Sequence, residues 1–454
     1  MRRIEDFRAV LAWWKFLELP AVFPRELSLP TSLHQIVSVA GVRRCGKTYL
    51  LFSTIKKLLQ ETGRGNVLYV NFEHERLRNL DASDLQDLLV AQREIFEVEE
   101  GKPLYLFLDE VQNVRDWERW VRRIQDEGGY RIFITGSSSK LLAQEIATSL
   151  RGRCLTYILY PFSFGEFLRA KNFTFTDLTE LEYTARRGEV LRMLREYLEF
   201  GGFPEVVLTG DREIKMRLLS SYFETIFYRD LAERYAIKNL SLLSSFLRYL
   251  SQNFASHVSL SKIERYFKSM GLRCSKKTLA NFLRYAESVF LFFPVEIFSR
   301  KVKNKMLYPK KVYCVDTGII NCLTGRFPEG IGRLAENVAY LSLRRRFEPP
   351  RYEINYWRNR AGREVDFVVR EGMEVRELIQ VCWNPSDEET REREIKGLLK
   401  AMEELGVKSG LVLTEDYSAE EVIEGKRIKF LPLWSWLLRK ENQQKYQNAG
   451  DFEK

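Results

Sequence analysis

Gly41-Val42-Arg43-Arg44-Cys45-Gly46-Lys47-Thr48, reading GVRRCGKT, fits the pattern Gly-x4-Gly-Lys-Ser/Thr and stands between an apolar run at 35–40 and an apolar helical stretch at 49–59. A strand that turns through glycines into a helix aims backbone N–H groups and the positive helix end at one place, which suits phosphates. In that geometry Lys47 reaches the β- and γ-phosphates and Thr48 offers a hydroxyl to Mg²⁺. The spacing predicts a nucleotide site lined by Gly41, Val42, Arg43, Arg44, Cys45, Gly46, Lys47, Thr48 and Tyr49.

Outward from this stretch, short apolar runs at 35–40, 67–72, 104–108, 131–135 and 155–159 alternate with helical or turn-rich segments. Strands alternating with helices imply an α/β fold with a parallel, doubly wound sheet. The run at 104–108 ends in Asp109-Glu110, at the sheet edge where ligands bind in such folds. There Asp109 is the second candidate Mg²⁺ ligand, and Glu110 is placed to polarise an attacking water, as a hydrolase requires. The run at 131–135 leads into Gly136-Ser137-Ser138-Ser139, so Thr135 or Ser137 is a candidate contact to the γ-phosphate or the water. Arg151-Gly152-Arg153 precedes the last run, and either arginine is a candidate finger toward a neighbouring subunit's γ-phosphate, a role that requires an oligomer.

The chain has 454 residues, 45% hydrophobic and 30% charged, which fits several globular domains and excludes collagen-like or wholly disordered classes. Six cysteines without CxxC spacing and three scattered histidines give no legible zinc site. Cysteine usage and the lack of a secretory signal fit a reducing cytoplasm. The most apolar N-terminal run, 11–23, is broken by Lys15, Glu18 and Pro20, so no membrane span is expected.

From 161 to 330 the pattern is mainly helical, with breaks at Gly201-Gly202 and Pro204. Residues 259–270, Gly271 and 275–289 suggest helix, tight turn, helix, with Ser275 a good N-cap. Two strand-like runs follow at 290–298 and 311–315, joined by a basic connector at 299–310. That layout is a winged helix, whose second helix enters a major groove and whose wing touches phosphate. The net charge of +10 is concentrated here, because residues 261–311 hold 13 Lys/Arg against 3 Asp/Glu. Such a stripe suits a nucleic-acid backbone, with Lys276, Lys277, Arg300, Lys301, Lys303 and Lys305 as the candidate DNA contacts. The other use of such a module is protein–protein contact with the lysines solvated. From 331 a helix at 332–346 and strand-like runs at 354–357, 364–369, 377–382 and 410–413 suggest a second, smaller α/β domain, and the tail from 440 is polar.

Four stretches, GVRRCGKTYLL (41–51), LYLFLDEVQNV (104–114), FITGSSSKLL (133–142) and SLRGRCLTYILYPFSFGEFL (149–168), together resemble the archaeal and bacterial AAA-superfamily P-loop ATPases whose C-terminal half carries a nuclease-like domain of unclear function. The resemblance implies a P-loop core with an additional strand (1–160), ATP as the nucleotide, a helical lid (161–238), a winged helix (239–330), a restriction-endonuclease-like domain (331–440) and a polar tail (441–454). It carries Lys47 and Thr48 to the P-loop, Asp109 and Glu110 to the second motif, Ser137 to the sensor, and Arg151 or Arg153 to the finger.

A nuclease of that type needs an acid on one strand and Glu-x-Lys on the next. Asp366 stands at the metal position and Glu336 is an auxiliary acid, but Gln380 and Cys382 occupy the Glu and Lys positions, so a catalytically dead fold is expected. Trp357, Trp383, Trp434 and Trp436 are expected in the core. Two functions follow from the sequence. One is an oligomeric ATPase that remodels or moves along duplex or branched DNA with ATP and Mg²⁺ as cofactors. The other is a switch-type signalling ATPase that oligomerises and recruits protein partners.

Overall fold

The five apolar runs of the first third form one all-parallel sheet in the order β2-β3-β4-β1-β5: β1 Ile36–Ala40, β2 Val67–Asn71, β3 Leu104–Asp109, β4 Tyr130–Gly136 and β5 Cys154–Ile158. β4 lies between β1 and β3, which is the additional strand the resemblance implies. The register pairs Ala40 with Gly136 and Leu108 with Ile134, so β1, β3 and β4 end together and bring the residues after them to one edge. Helices α2 (Lys47–Leu58), α3 (Leu85–Ile95) and α4 (Trp117–Glu127) connect the strands. The chain before the sheet forms α1 (Ile4–Phe16), which buries Phe7, Val10, Leu11 and Trp14. Trp14 donates its indole N–H to Val67 O at 2.9 Å, so the apolar run at 11–23 is split: its first part is core, and the helix stops at Phe16.

This computed structural model describes residues 3–136, 150, 152–299, 301, 308–325, 327 and 329–439. The chain divides into two compact units, 1–161 with 288–290, and 162–287 with 291–454.

That second unit begins with helices α5 (Phe164–Ala170), α6 (Leu178–Tyr183), α7 (Arg186–Phe200), α8 (Pro204–Leu208), α9 (Arg212–Thr225) and α10 (Leu240–Gln252). Ser163 and Glu166 form a capping box at the start of α5. Next come β6 (His257–Val258), α11 (Leu260–Ser269), α12 (Lys276–Ser288), β7 (Phe292–Val295) and β8 (Lys310–Cys314), with the strands in one antiparallel sheet ordered β6-β8-β7. After α13 (Thr317–Thr324) and α14 (Ile331–Arg346), strands β9 (Tyr352–Arg358), β10 (Glu364–Glu371), β11 (Glu374–Val381), β12 (Ser409–Thr414), β13 (Ala419–Ile423) and β14 (Lys426–Pro432) make a mixed sheet ordered β13-β14-β12-β11-β10-β9. Helix α15 (Glu388–Leu405) covers it with Ile395, Leu398, Leu399 and Met402, and α16 (Leu433–Leu438) ends the described chain. Trp357, Trp434 and Trp436 are buried as expected, whereas Trp383 is half-buried.

The glycine break after α7 is a clamped turn. Asp316, itself buried, accepts Gly202 N–H at 2.7 Å and Gly318 N–H at 2.9 Å. Burial pushes its carboxyl up to about 7 against those backbone donors. Folding therefore retains a proton that the unfolded chain, with an ordinary carboxyl near 3.8, has released. The contribution of Asp316 to stability is therefore expected to fall as pH rises from about 4 to about 7 and to level off above. Thermal midpoints across that range test this: Asp316→Asn should flatten the slope, and an unchanged slope would assign it to other groups.

Candidate nucleotide-binding site

α2 starts at Lys47 with Gly46 as its N-cap, at φ +98 and with no side-chain cap. A non-glycine residue is strained at that φ, and an uncapped helix start leaves its first N–H groups to a ligand. The loop is pressed against the end of β5, since a Cβ on Gly41 would lie 2.1 Å from Leu159 O. Lys47 is buried and donates to the loop carbonyls of Gly41 at 3.1 Å and Val42 at 3.3 Å. Cys45 is buried, and burial raises its thiol pKa. Arg43 pairs with Glu73 at 3.3 Å, Arg44 has φ +69, and Tyr49 is half exposed.

Asp109, at the end of β3, is completely buried and is the hub of the site. Its Oδ2 accepts Thr48 Oγ1–H at 2.7 Å and Tyr69 O–H at 2.9 Å, and its Oδ1 accepts the Thr135 hydroxyl. Burial and the neighbouring Glu110 charge raise the Asp109 carboxyl pKa, while the three hydroxyls oppose the rise. Glu110 sits just beyond the strand at φ +53 and donates its backbone N–H to Thr135 Oγ1 at 2.9 Å. Its side chain accepts the Gln112 amide. The structure therefore brings Gly46, Lys47, Thr48, Asp109, Glu110 and Thr135 to one sheet edge.

Sequence reasoning missed Tyr69, Gln112 and Arg25. Arg25 precedes the sheet and donates to Cys45 O at 2.9 Å and Tyr160 O at 2.7 Å, which ties the loop to the chain after β5. No local motif marks it. Tyr69 was legible only as an apolar strand residue.

Arg153 lies at the start of β5, beside Ile36 at the start of β1, and pairs with Asp126 of α4. At about 3.3 Å per strand residue it is roughly 15 Å from the loop that follows β1, so its own site is out of reach. Ser137 and Arg151 lie outside the described residues.

Of the candidate DNA contacts, Lys276 and Lys277 are exposed on the first turn of α12, where Ser275 Oγ accepts Thr278 N–H at 3.1 Å. Lys301 is exposed, and Arg300, Lys303 and Lys305 lie outside the described residues. Three residues of the basic stretch are already paired with carboxylates. Lys268 pairs with Glu264 at 2.8 Å, Lys310 with Glu296 at 2.9 Å, and Lys311 is buried among carboxylates. Among the described residues no group of His, Cys, Asp and Glu is placed to hold a metal ion by itself, and no helix is long and apolar enough to cross a membrane.

The parallel sheet with its added strand and its P-loop edge defines an AAA-type P-loop ATPase domain. Residues 33–168 match the family model described as an AAA domain, and 191–330 and 331–436 match two domains of unknown function. The chain belongs to the family of the uncharacterized protein MJ1544 of Methanocaldococcus jannaschii, with 37% identity over 423 residues, covering 92% of this chain and 91% of that one. An uncharacterized protein of Haemophilus influenzae is 30% identical over 404 residues, covering 88% and 94%. Among solved structures, the Aeropyrum pernix ORC1 protein in complex with DNA is matched at TM-score 0.29 and 15% identity, covering 73% of this chain and 93% of that one. AMPPCP-bound DnaA from Aquifex aeolicus is matched at TM-score 0.22 and 18% identity, covering 62% and 86%.

Proposed function

We propose that the chain hydrolyses ATP and couples turnover to binding and remodelling of, or translocation on, duplex or branched DNA as a homo-oligomer. The observation that carries the hydrolase reading is the Thr48–Asp109 hydrogen bond with Glu110 one residue beyond. The donor set fits the nucleotide and its metal: the uncapped start of α2 and the Lys47 ammonium suit phosphate, and a hydroxyl beside a carboxylate suits a hard cation. Thr48 and Asp109 would hold Mg²⁺, which when bound neutralises charge on the phosphates. Glu110 orients and polarises the attacking water, held in place by Gln112 and by its backbone bond to Thr135. Arg153, out of reach of its own loop, acts as the finger on a neighbouring copy, with Arg151 as the alternative.

The DNA part rests on the order helix, turn, helix, hairpin and on the exposed side chains of Lys262, Arg265, Arg273, Lys276, Lys277 and Arg284. We assign 239–330 as a winged helix, 161–238 as the lid, and 331–440 as a nuclease-like fold without catalysis. An ATPase assay across duplex, forked and four-way DNA, with mass measured with and without ATP, tests the reading. Stimulation by DNA is expected. Unchanged turnover on every DNA, with ATP-dependent assembly, would favour the switch-type signalling ATPase instead. Each phosphate contact contributes about 0.9 to the salt slope of duplex binding. Lys276→Ala with Lys277→Ala should therefore lower that slope by about 2, and an unaltered slope would take α12 off the DNA.

A further inference from the structure

Lys311, the second residue of β8, carries its ammonium into the interior, and only 3% of the residue is exposed. Its Nζ lies 3.0 Å from Glu336 Oε1, 2.6 Å from Glu364 Oε1 and 2.7 Å from Asp366 Oδ1. Three carboxylates from α14 and β10 thus converge on one point, and that point is filled by a cation the chain supplies itself.

The rest of the shell is built around the same centre. Tyr313 donates its hydroxyl to Glu336 Oε1 at 2.7 Å. Asp366 Oδ2 accepts Val381 N–H at 2.9 Å, and Asp366 N–H donates to Gln380 Oε1 at 3.0 Å. Gln380 in turn donates its amide to Glu394 Oε2 at 2.6 Å. His257 stands 3.4 Å from Glu364.

One ammonium therefore faces three carboxylates. Small divalent cations take hard oxygen donors, and here the point on which these oxygens converge is held by the ammonium instead. Lys311 reaches this centre from β8, a strand of the other sheet.

We propose that the Lys311 ammonium is the resident cation of the Glu336–Glu364–Asp366 cage. It excludes divalent metal from this centre and fastens β8 to the C-terminal sheet. Removing it opens the cage to Mg²⁺ or Mn²⁺.

The test is Mn²⁺ binding to the full-length, nucleotide-free chain, followed by electron paramagnetic resonance, with Asp366→Asn as the control that isolates the cage from any other Mn²⁺. In the wild type, Asp366→Asn should change nothing. Lys311→Met should gain one Mn²⁺ per chain that the wild type does not bind, and should lose it again when Asp366→Asn is added. Cage-bound Mn²⁺ in the wild type overturns the proposal, as does a folded Lys311→Met that gains none. Plasmid cleavage by the wild type in Mn²⁺, abolished by Lys311→Met, would overturn it too, because Lys311 would then take part in metal-dependent chemistry. If Lys311→Met does not fold, acetic anhydride labelling of the wild type decides. Lys311 should stay protected to the same degree with and without millimolar Mn²⁺, and faster labelling in Mn²⁺ would show that metal displaces the ammonium.

Discussion

Glu110→Gln is expected to bind ATP as the wild type does and to lose turnover by a factor of about 10² to 10⁴, the usual contribution of a positioned general base. The substitution keeps the shape of a residue that is 9% exposed, so the fold around it has no reason to change. It also leaves Lys47, Thr48 and Asp109, the groups proposed to face phosphate and metal, with all their hydrogen bonds. What it removes is the negative charge that draws a proton from water. Binding of a fluorescent ATP analogue and steady-state phosphate release measure the two effects separately. Turnover within a few-fold of wild type would remove Glu110 from the role. Lys47→Ala should behave in the opposite way, losing binding first, because the ammonium meets the phosphates in the ground state as well as in the transition state.

The second large effect is on stability. Gly201→Ala should cost about 3 kcal/mol or more, since two penalties act at one residue. Gly201 adopts φ +74 and ψ −160, a region open essentially to glycine alone. A Cβ there would also lie 1.9 Å from Asp316 Oδ1, and that carboxylate is held by Gly202 N–H and Gly318 N–H and has nowhere to move. Urea unfolding of Gly201→Ala, Asp316→Ala and the double variant separates the terms. Removing the carboxylate should recover part of the Gly201→Ala loss, a coupling of about 1 kcal/mol, while the backbone strain should remain. Strictly additive losses would show that the clash is relieved elsewhere.

The ATPase core was legible because its signals are local. The loop 41–48 and Asp109-Glu110 each occupy a few consecutive residues at strand ends, and a parallel α/β sheet gathers strand ends at one edge. Where the reading fell short, the partner was distant in sequence. Arg25 reaches a loop carbonyl 20 residues on, and Tyr69 reaches Asp109 across 40. Two elements of the C-terminal domain had local signals that went unread. Glu424-Gly425, at φ +49 and +72, is the two-residue turn that joins β13 to β14. Asp387 caps the strongly charged helix α15 by accepting Thr390 N–H at 3.3 Å.

Charge shows the division most clearly. Counting residues located the basic surplus within 261–311, because charge is additive along a chain. A count cannot tell a solvated lysine from a buried one. Lys276 and Lys277 face solvent, while Lys311, 34 residues after Lys277, closes a cage made of Glu336, Glu364 and Asp366. By itself the sequence determined the P-loop motif at its strand-to-helix turn, the parallel α/β core and the location of the basic stretch, all set by neighbours in the chain. Only the tertiary structure decided which basic groups remain available to a partner, because desolvation and ion pairing depend on what folding brings within a few ångströms, not on what is adjacent in sequence.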